Sequence, residues 1–479
     1  MTHDAIIVGS GPNGLAAAIT LARAGQRTLL LEAKETVGGG MRTAELTLPG
    51  FRHDICSAIH PLGVGSPFFK DLPLTDYGLE WIQPELPLAH PLDDGTAVVM
   101  YHSLAKTADA LGRDGPAYRR LMAPLVANWD KLAREFLGPL RLPRHPLVMA
   151  RFGLRALWPA TLLARALFRQ EPARALLGGL AAHSVMPLDG PLTAAFGLML
   201  GTLGHVVGWP LPRGGSQSIA NALAAYYTDL GGEIETGHEV KSLRDLPPAR
   251  AILMDVTPRQ LLAIAGDDLP FRYRRQLEKY RYGAGVFKVD WALSEPIPWR
   301  AEACRRAGTV HLGPTLADMA LSERLMWQGQ VAERPYIILT QQSLFDSTRA
   351  PAGQHTGWAY CHVPHGDTRD MTDVIEAQVE QFAPGFRDTI LARHTMNTQD
   401  FQRYNPNYIG GDINGGVQNW RQLFTRPVVR LNPYTTPLPN LYICSSATPP
   451  GGGVHGMCGY HAARTALQQL GRPSFATSQ

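Results

Sequence analysis

The residues with the clearest chemistry lie at the start of the chain. Gly9-Ser10-Gly11-Pro12-Asn13-Gly14 spells GxGxxG directly after the apolar run Ala5-Ile6-Ile7-Val8. In such a turn the first glycine allows the tight bend. The second lets backbone approach a pyrophosphate, and the third lets the following helix pack on the strand. Unpaired N–H groups and the positive end of the helix dipole then favour phosphate. About 20 residues further on, where a carboxylate accepts hydrogen bonds from ribose hydroxyls, stands Glu32, followed by Ala33. The charge of Glu32 would repel a 2′-phosphate. These residues together point to a bound dinucleotide.

Two further glycine clusters suggest contacts with a long ligand. One is Val37-Gly38-Gly39-Gly40-Met41-Arg42-Thr43, where the Arg42 guanidinium suits a phosphate or the edge of an electron-rich ring. The other is Pro449-Pro450-Gly451-Gly452-Gly453-Val454-His455-Gly456-Met457, which places open backbone N–H groups at a helix start. For proton transfer the candidates beside these motifs are Asp54, His60, His362, His365, His455 and His461, with His455 foremost because it sits inside the last glycine loop. Asp54 also suits a local turn cap. Asn405, Asn407 and Asp412 fit turn formation. The cysteines, at 56, 304, 361, 444 and 458, form no CxxC pair and no zinc spacing, so neither dithiol chemistry nor a metal site is expected.

The elements that must position these residues can be read from patterning. Residues 5–8 and 28–31 are buried parallel strands flanking a helix from Leu15 to Ala24. Residues 97–101 form a strand, and 104–205 are helical with proline breaks. Ser216 fits an N-cap for the next helix, which ends at Gly231-Gly232. Strands are expected at 233–240 and 251–256, with Thr257-Pro258 starting a helix. Those expected at 285–293, 336–342 and 358–363 cluster without intervening helices, which suggests a mixed or antiparallel sheet. A last strand covers 440–445. No second GxGxxG follows a strand, which speaks against a separate NAD(P)H domain.

Composition sets the outer bounds. The chain has 479 residues, 45% hydrophobic and 18% charged, with 48 glycines and 38 prolines. This is a large globular chain, not a disordered or fibrous one. Its net charge of +4 is too mild to imply nucleic acid. Sparse cysteines and the lack of a signal-like N-terminus lead to a cytoplasmic expectation. Residues 136–170 carry Arg141, Arg144, Arg151, Arg155, Arg165 and Arg169 with no acid, interleaved with leucines and aromatics. Such a segment suits either an anionic membrane surface or a solvated helical face.

The second glycine cluster resembles that of the glutathione-reductase-like FAD-binding superfamily. The chain as a whole resembles the phytoene desaturase family of FAD-dependent oxidoreductases, closest to the branch named for pyridine nucleotide-disulfide oxidoreductase domain-containing protein 2. The carrying segments are GSGPNGLAAA (9–18), VGGGMRT (37–43), GFRHDICSAIHPL (50–62), GWPLPRGGSQSIANAL (208–223), WAYCHVPHG (358–366), NPNYIGGDINGG (405–416) and PPGGGVHGMCGYHAA (449–463).

The resemblance implies an α/β fold. An FAD-binding Rossmann domain (1–75, 211–270 and 400–479) would be interleaved with an α+β substrate domain (76–210 and 271–399) of mixed sheet and helices. Gly9, Gly11, Gly14 and Glu32 would meet the ADP half of FAD, and Val240 its adenine. Gly39, Gly40 and Met41 would lie near the pyrophosphate and flavin, and Gly456 and Met457 at the flavin ring. The implied reaction is desaturation, saturation or isomerisation of a lipophilic alkene or polyene in an apolar tunnel, with oxygen or a quinone as electron acceptor. A flavin amine oxidase and a flavin module without turnover are the alternative readings. The chain departs from better-known carotenoid desaturases at His455, where they carry proline, and from many relatives at Ser445, where they carry glycine.

Overall fold

A computed structural model describes residues 3–471. Its framework strands, in chain order, are β1 (His3–Val8), β2 (Thr28–Leu31), β3 (Leu86–Pro91), β4 (Ala97–Met100), β5 (Glu233–Glu235), β6 (Ala249–Met254), β7 (Gly285–Leu293), β8 (Ala307–Leu312), β9 (Ile337–Thr340), β10 (His355–Val363), β11 (Ile390–Met396) and β12 (Leu441–Ile443). They form two sheets. A five-stranded sheet has the order β12-β6-β1-β2-β5 with every pair parallel. A seven-stranded sheet has the order β11-β7-β10-β9-β8-β3-β4 and is antiparallel except for β8 with β3.

The parallel sheet is covered on both faces, as parallel sheets are. Helix α1 (Pro12–Arg23) leaves β1 through the glycine turn. Its residues Leu15 to Ile19 are fully buried. Then come α2 (Pro146–Ala156), α3 (Ala160–Leu167), α4 (Glu171–Ala182), α5 (Thr193–Val206), α6 (Gln217–Asp229) and the closing helix α7 (Met457–Leu470). Helix α7 packs along α1. At their crossing a Cβ on Gly459 would fall 1.8 Å from the Asn13 carbonyl oxygen, so no side chain fits there. Helices α2 to α5 form a layer beside the mixed sheet, with α5 crossing α2, α3 and α4.

Three local expectations are corrected. The strand expected over 233–240 stops at Glu235. Beyond it Gly237 and His238 donate to the Lys34 and Glu32 carbonyls, bending the chain around the end of β2. Ser216 makes no side-chain cap to α6, because tertiary partners claim its hydroxyl. The strands of the mixed sheet do have helices between them, Glu302–Arg305 and Leu316–Trp327. The sheet is nonetheless mixed, as expected.

Candidate functional site

One cavity of about 430 Å³ connects the two sheets. At one end its wall is Val8 to Asn13, Leu31 to Lys34, His238 to Val240, Asp255 and Val256, all at the carboxyl ends of parallel strands. Such sheets bind ligands at that edge. Mid-way it passes Gly39, Gly40, Arg42, Cys56 to Leu62, Tyr404 to Tyr408 and Gly452 to Val454. The far end is a chamber walled by Phe196, Met199 and Leu200 of α5, Trp209, and Ile338, Trp358 and Tyr360 of the mixed sheet.

The first end fits a dinucleotide. The N-cap residue Gly11 has no side chain to cap α1, no acid of the helix lies in its first turn, and Pro12 occupies N1, so the start of the helix lines the cavity mouth. A Cβ at Gly14 would meet the Gly9 carbonyl oxygen at 1.9 Å, which keeps helix and strand in contact. Ser10 donates to Glu32 from both N and Oγ, and the Lys34 N–H donates to the other carboxylate oxygen at 2.9 Å. Asn13 is buried with its Oδ1 unpaired among the described residues. Arg42 Nη2 lies 3.0 Å from Glu32 Oε1, and the Arg42 guanidinium also donates to the Thr36 and Gly39 carbonyls. Arg42 therefore reaches the ribose acid as well as bordering the cavity. Tyr404 stacks below it at 5.7 Å.

Sequence reasoning missed Asp255. It follows β6, and its Oδ2 accepts the Gly14 N–H at 2.9 Å, beside the GxGxxG turn. Burial pushes its pKa up to about 7, and the Glu32 charge adds to the rise. The only local signal is an acid after a buried strand, which the sequence offers at several places.

The other predicted residues separate. Ala33 and Val240 line the cavity. Met41 is fully buried in the core and does not line it. Gly456 and Met457 also lie behind the wall, which Gly452, Gly453 and Val454 form instead. Gly456 turns the chain into α7 in a left-handed conformation (φ 69°). His455 is buried, and its Nδ1 accepts the Met457 N–H at 3.0 Å. Burial lowers its pKa to about 4. Its ring thus organises the glycine loop and is not on the cavity wall.

Asp54 is not a turn cap. Its Oδ2 pairs with Arg349 at 2.6 Å, and its Oδ1 accepts from Ser216 N–H and Thr43 Oγ1. Burial would raise this carboxyl, but the Arg349 charge and these donors hold it below its usual range. His60 lines the cavity, bonds Ser216 Oγ at 2.8 Å through Nε2, and is held neutral by burial, with a pKa of about 4. His362 pairs with Glu323 at 2.8 Å inside the protein, away from the wall. His365 and His461 bond the Gly283 and Leu137 carbonyls. Asn407 holds the Thr257 N–H, and Asp412 caps the 412–416 turn and Gly283. The five cysteines are free thiols, and no group of side chains among the described residues could hold a metal.

Comparison with known proteins matches residues 7–72 to the NAD(P)-binding Rossmann-like domain model. Over 98% of its length the chain is 26% identical to pyridine nucleotide-disulfide oxidoreductase domain-containing protein 2 of Rattus norvegicus, covering 94% of that protein. It is 23% identical to a limonene dehydrogenase polypeptide of Castellaniella defragrans, covering 98% of this chain and 95% of that one. With the neurosporene-forming phytoene desaturase of Rhodobacter capsulatus it shares 24% over 95% and 92%. Among solved structures, cyclohexylamine oxidase from Brevibacterium oxydans superposes with a TM-score of 0.61 at 17% identity, over 98% of this chain and all of that one. A fatty acid isomerase from P. acnes gives a TM-score of 0.57 at 14% identity, over 97% and 98%. These superpositions establish the shared fold.

Proposed function

Taking the chain as an FAD-dependent oxidoreductase of the phytoene desaturase-like group, we propose that it acts on a lipophilic alkene or polyene held in the far chamber. The carrying observation is the single cavity that begins at the GxGxxG turn and ends among Phe196, Met199, Leu200, Trp209, Ile338 and Trp358. A long cofactor laid from Glu32 towards Gly40 and Val454 would put its reactive ring at the chamber mouth. Bound FAD supplies a two-electron acceptor for hydride. The protein's own part is then to exclude water, orient the chain of carbons and receive a proton.

The chamber chemistry favours an alkene over an amine. The carboxylates on the cavity wall are Glu32, Glu239 and Asp255, all at the dinucleotide end. An ammonium group entering the chamber would find no counter-charge and would bear the desolvation cost. Limonene and phytoene, which name two relatives, are hydrocarbons and carry no such group. Oxygen or a quinone would reoxidise the flavin. Desaturation needs such an oxidant, saturation would need a reductant of the flavin instead, and isomerisation is redox-neutral overall.

A lipophilic substrate needs a route from lipid, and α2 with α3 offers one. No single helix among the described residues is long and apolar enough to cross a membrane, and this pair is bent by 95°. Along this pair and the segment that leads into it, Leu142 and Leu147 are 92% and 85% exposed, joined by Leu140, Leu154, Leu157 and Leu162. Arg144, Arg151 and Arg155 lie among them. Helix α5, whose other residues line the chamber, packs directly beneath α2. We read the protein as cytoplasmic and peripheral on an anionic membrane, with this face as its contact. Flotation with anionic liposomes tests this. The wild type should float at low salt and the Leu142→Ser/Leu147→Ser/Leu154→Ser variant should not, whereas a wild type that stays at the bottom refutes the contact.

The function itself is tested by mixing the FAD-loaded enzyme anaerobically with candidate alkenes and amines. Flavin reduction by alkenes supports the reading, and reduction by amines alone overturns it.

A further inference from the structure

The chamber has a polar spot that the motifs did not disclose. His183 follows the last residue of α4, half-buried on the chamber wall. Its Nε2 lies 3.0 Å from Nε2 of His311, a fully buried residue of β8. A hydrogen bond between two Nε2 atoms holds one proton, so the tautomers of the two rings are coupled. When His183 donates, its Nδ1 is a bare acceptor and His311 carries its proton on Nδ1. When His311 donates, the assignments reverse. His183 Nδ1 has no hydrogen-bond partner among the described residues and belongs to a ring on the cavity wall. His311 Nδ1 is buried and also unpartnered among them.

The surroundings suit a proton relay. Around the pair stand His90 and Tyr336, with ring centroids 6.4 and 5.4 Å from His311, and the His362–Glu323 pair behind Tyr336. Trp209 closes the space between the two histidines at 5.7 and 5.8 Å. The C-terminal end of α4 lies under His183, where the helix dipole favours a positive charge. A Cβ on Gly179 of α4 would come within 2.8 Å of His311 Nδ1, so this glycine lets the His311 ring lie against the helix.

We propose that His183 and His311 form a two-histidine relay that accepts the substrate's proton, with His183 Nδ1 as the receiving atom. The proposal rests on the chamber being the substrate site. In a dehydrogenation two C–H bonds break. One hydrogen would leave as hydride, for which bound FAD would be the two-electron acceptor. The electron pair of the other C–H bond becomes the new C=C, and its proton goes to His183 Nδ1. His183 then passes its Nε2 proton to His311 Nε2. The positive charge is then shared transiently across the Nε2–Nε2 bond instead of resting on the ring that touches the substrate. Loss of hydride makes the neighbouring C–H strongly acidic, so a neutral imidazole is a sufficient base. Burial keeps both rings neutral, His183 with a pKa near 3 and His311 well below its usual value.

The experiment combines anaerobic flavin reduction with ¹⁵N-histidine NMR on the full-length protein. His183→Gln should retain FAD content and lower the reduction rate by roughly 10²- to 10⁴-fold, the range for a lost acid–base group. His311→Gln, which keeps a hydrogen-bonding partner but cannot take the charge, should show a smaller loss and a shifted pH profile. Unchanged rates and pH profiles in both variants, with an active wild type, would overturn the relay and leave the proposed function standing. If no alkene reduces the wild-type flavin, the proposed function fails, and the NMR result decides the relay separately. Coupled tautomers that change together support it. Two rings titrating independently near pH 6.5 overturn it.

Discussion

Glu32 and Arg42 form an ion pair of 3.0 Å with both side chains more than nine-tenths buried. The acid that ends β2 therefore ties the second glycine turn to the first. Removing one partner of such a pair leaves an uncompensated buried charge, at a cost of about 3–5 kcal/mol. Arg42→Met should lower the melting temperature and weaken FAD binding at least tenfold. Thermal scans and flavin-fluorescence titration check this, and a variant matching wild type in both would show that the pair holds nothing.

The contact between α1 and α7 gives a paired test. At Gly459 an added methyl has no space, so Gly459→Ala should cost about 1–3 kcal/mol and reduce the fraction of protein purified with FAD. Gly153, in the middle of α2, meets nothing within 4 Å. Gly153→Ala should stabilise by about 0.5–1 kcal/mol without altering FAD content. Denaturant unfolding of the two variants measures both signs.

Asp255 sits on the Gly14 N–H, at the helix end suited to a pyrophosphate. With its pKa raised to about 7, it is neutral in acid and charged in base. Carboxylate and pyrophosphate repel, so FAD affinity should fall as pH rises from 6 to 8. Asp255→Asn should bind FAD with an affinity flat across that range. Equilibrium dialysis at three pH values distinguishes a slope from a plateau.

Burial holds His53, His60, His90, His455 and His461 near pKa 4, against 6.5 in an unfolded chain. The unfolded state therefore binds more protons between these values. Their contribution is complete above about pH 6.5 and is lost as pH falls towards 4, at up to about 2 kcal/mol for each ring at pH 5. Urea midpoints should drop steeply between pH 7.5 and 5. Equal midpoints would contradict the neutral buried state.

The dinucleotide end was legible because β1, α1, β2 and Glu32 are contiguous and each step of the motif has a local cause. The rest depends on chain segments that meet only in the fold. Asp255 reaches Gly14, and His311 reaches His183, across sequence separations that no spacing rule covers. Ser216 has the local pattern of an N-cap, yet His60 and the Ser57 carbonyl engage its hydroxyl. His455 looked chemical from its place in a glycine loop, and the fold turns its ring onto the Met457 N–H. The far chamber was not legible, because its wall combines Phe196, Met199 and Leu200 of α5 with residues of β8, β9 and β10 that meet only in the fold.

The most direct test of the central claim is the spectrum of the FAD-loaded protein under strictly anaerobic conditions. Isoprenoid and other unsaturated hydrocarbons are added in one series and primary amines in another. The oxidised flavin band should be lost with at least one hydrocarbon and with no amine, and should return when oxygen or a quinone is admitted. Bleaching by amines alone, or a purified protein that takes up no FAD, would contradict it.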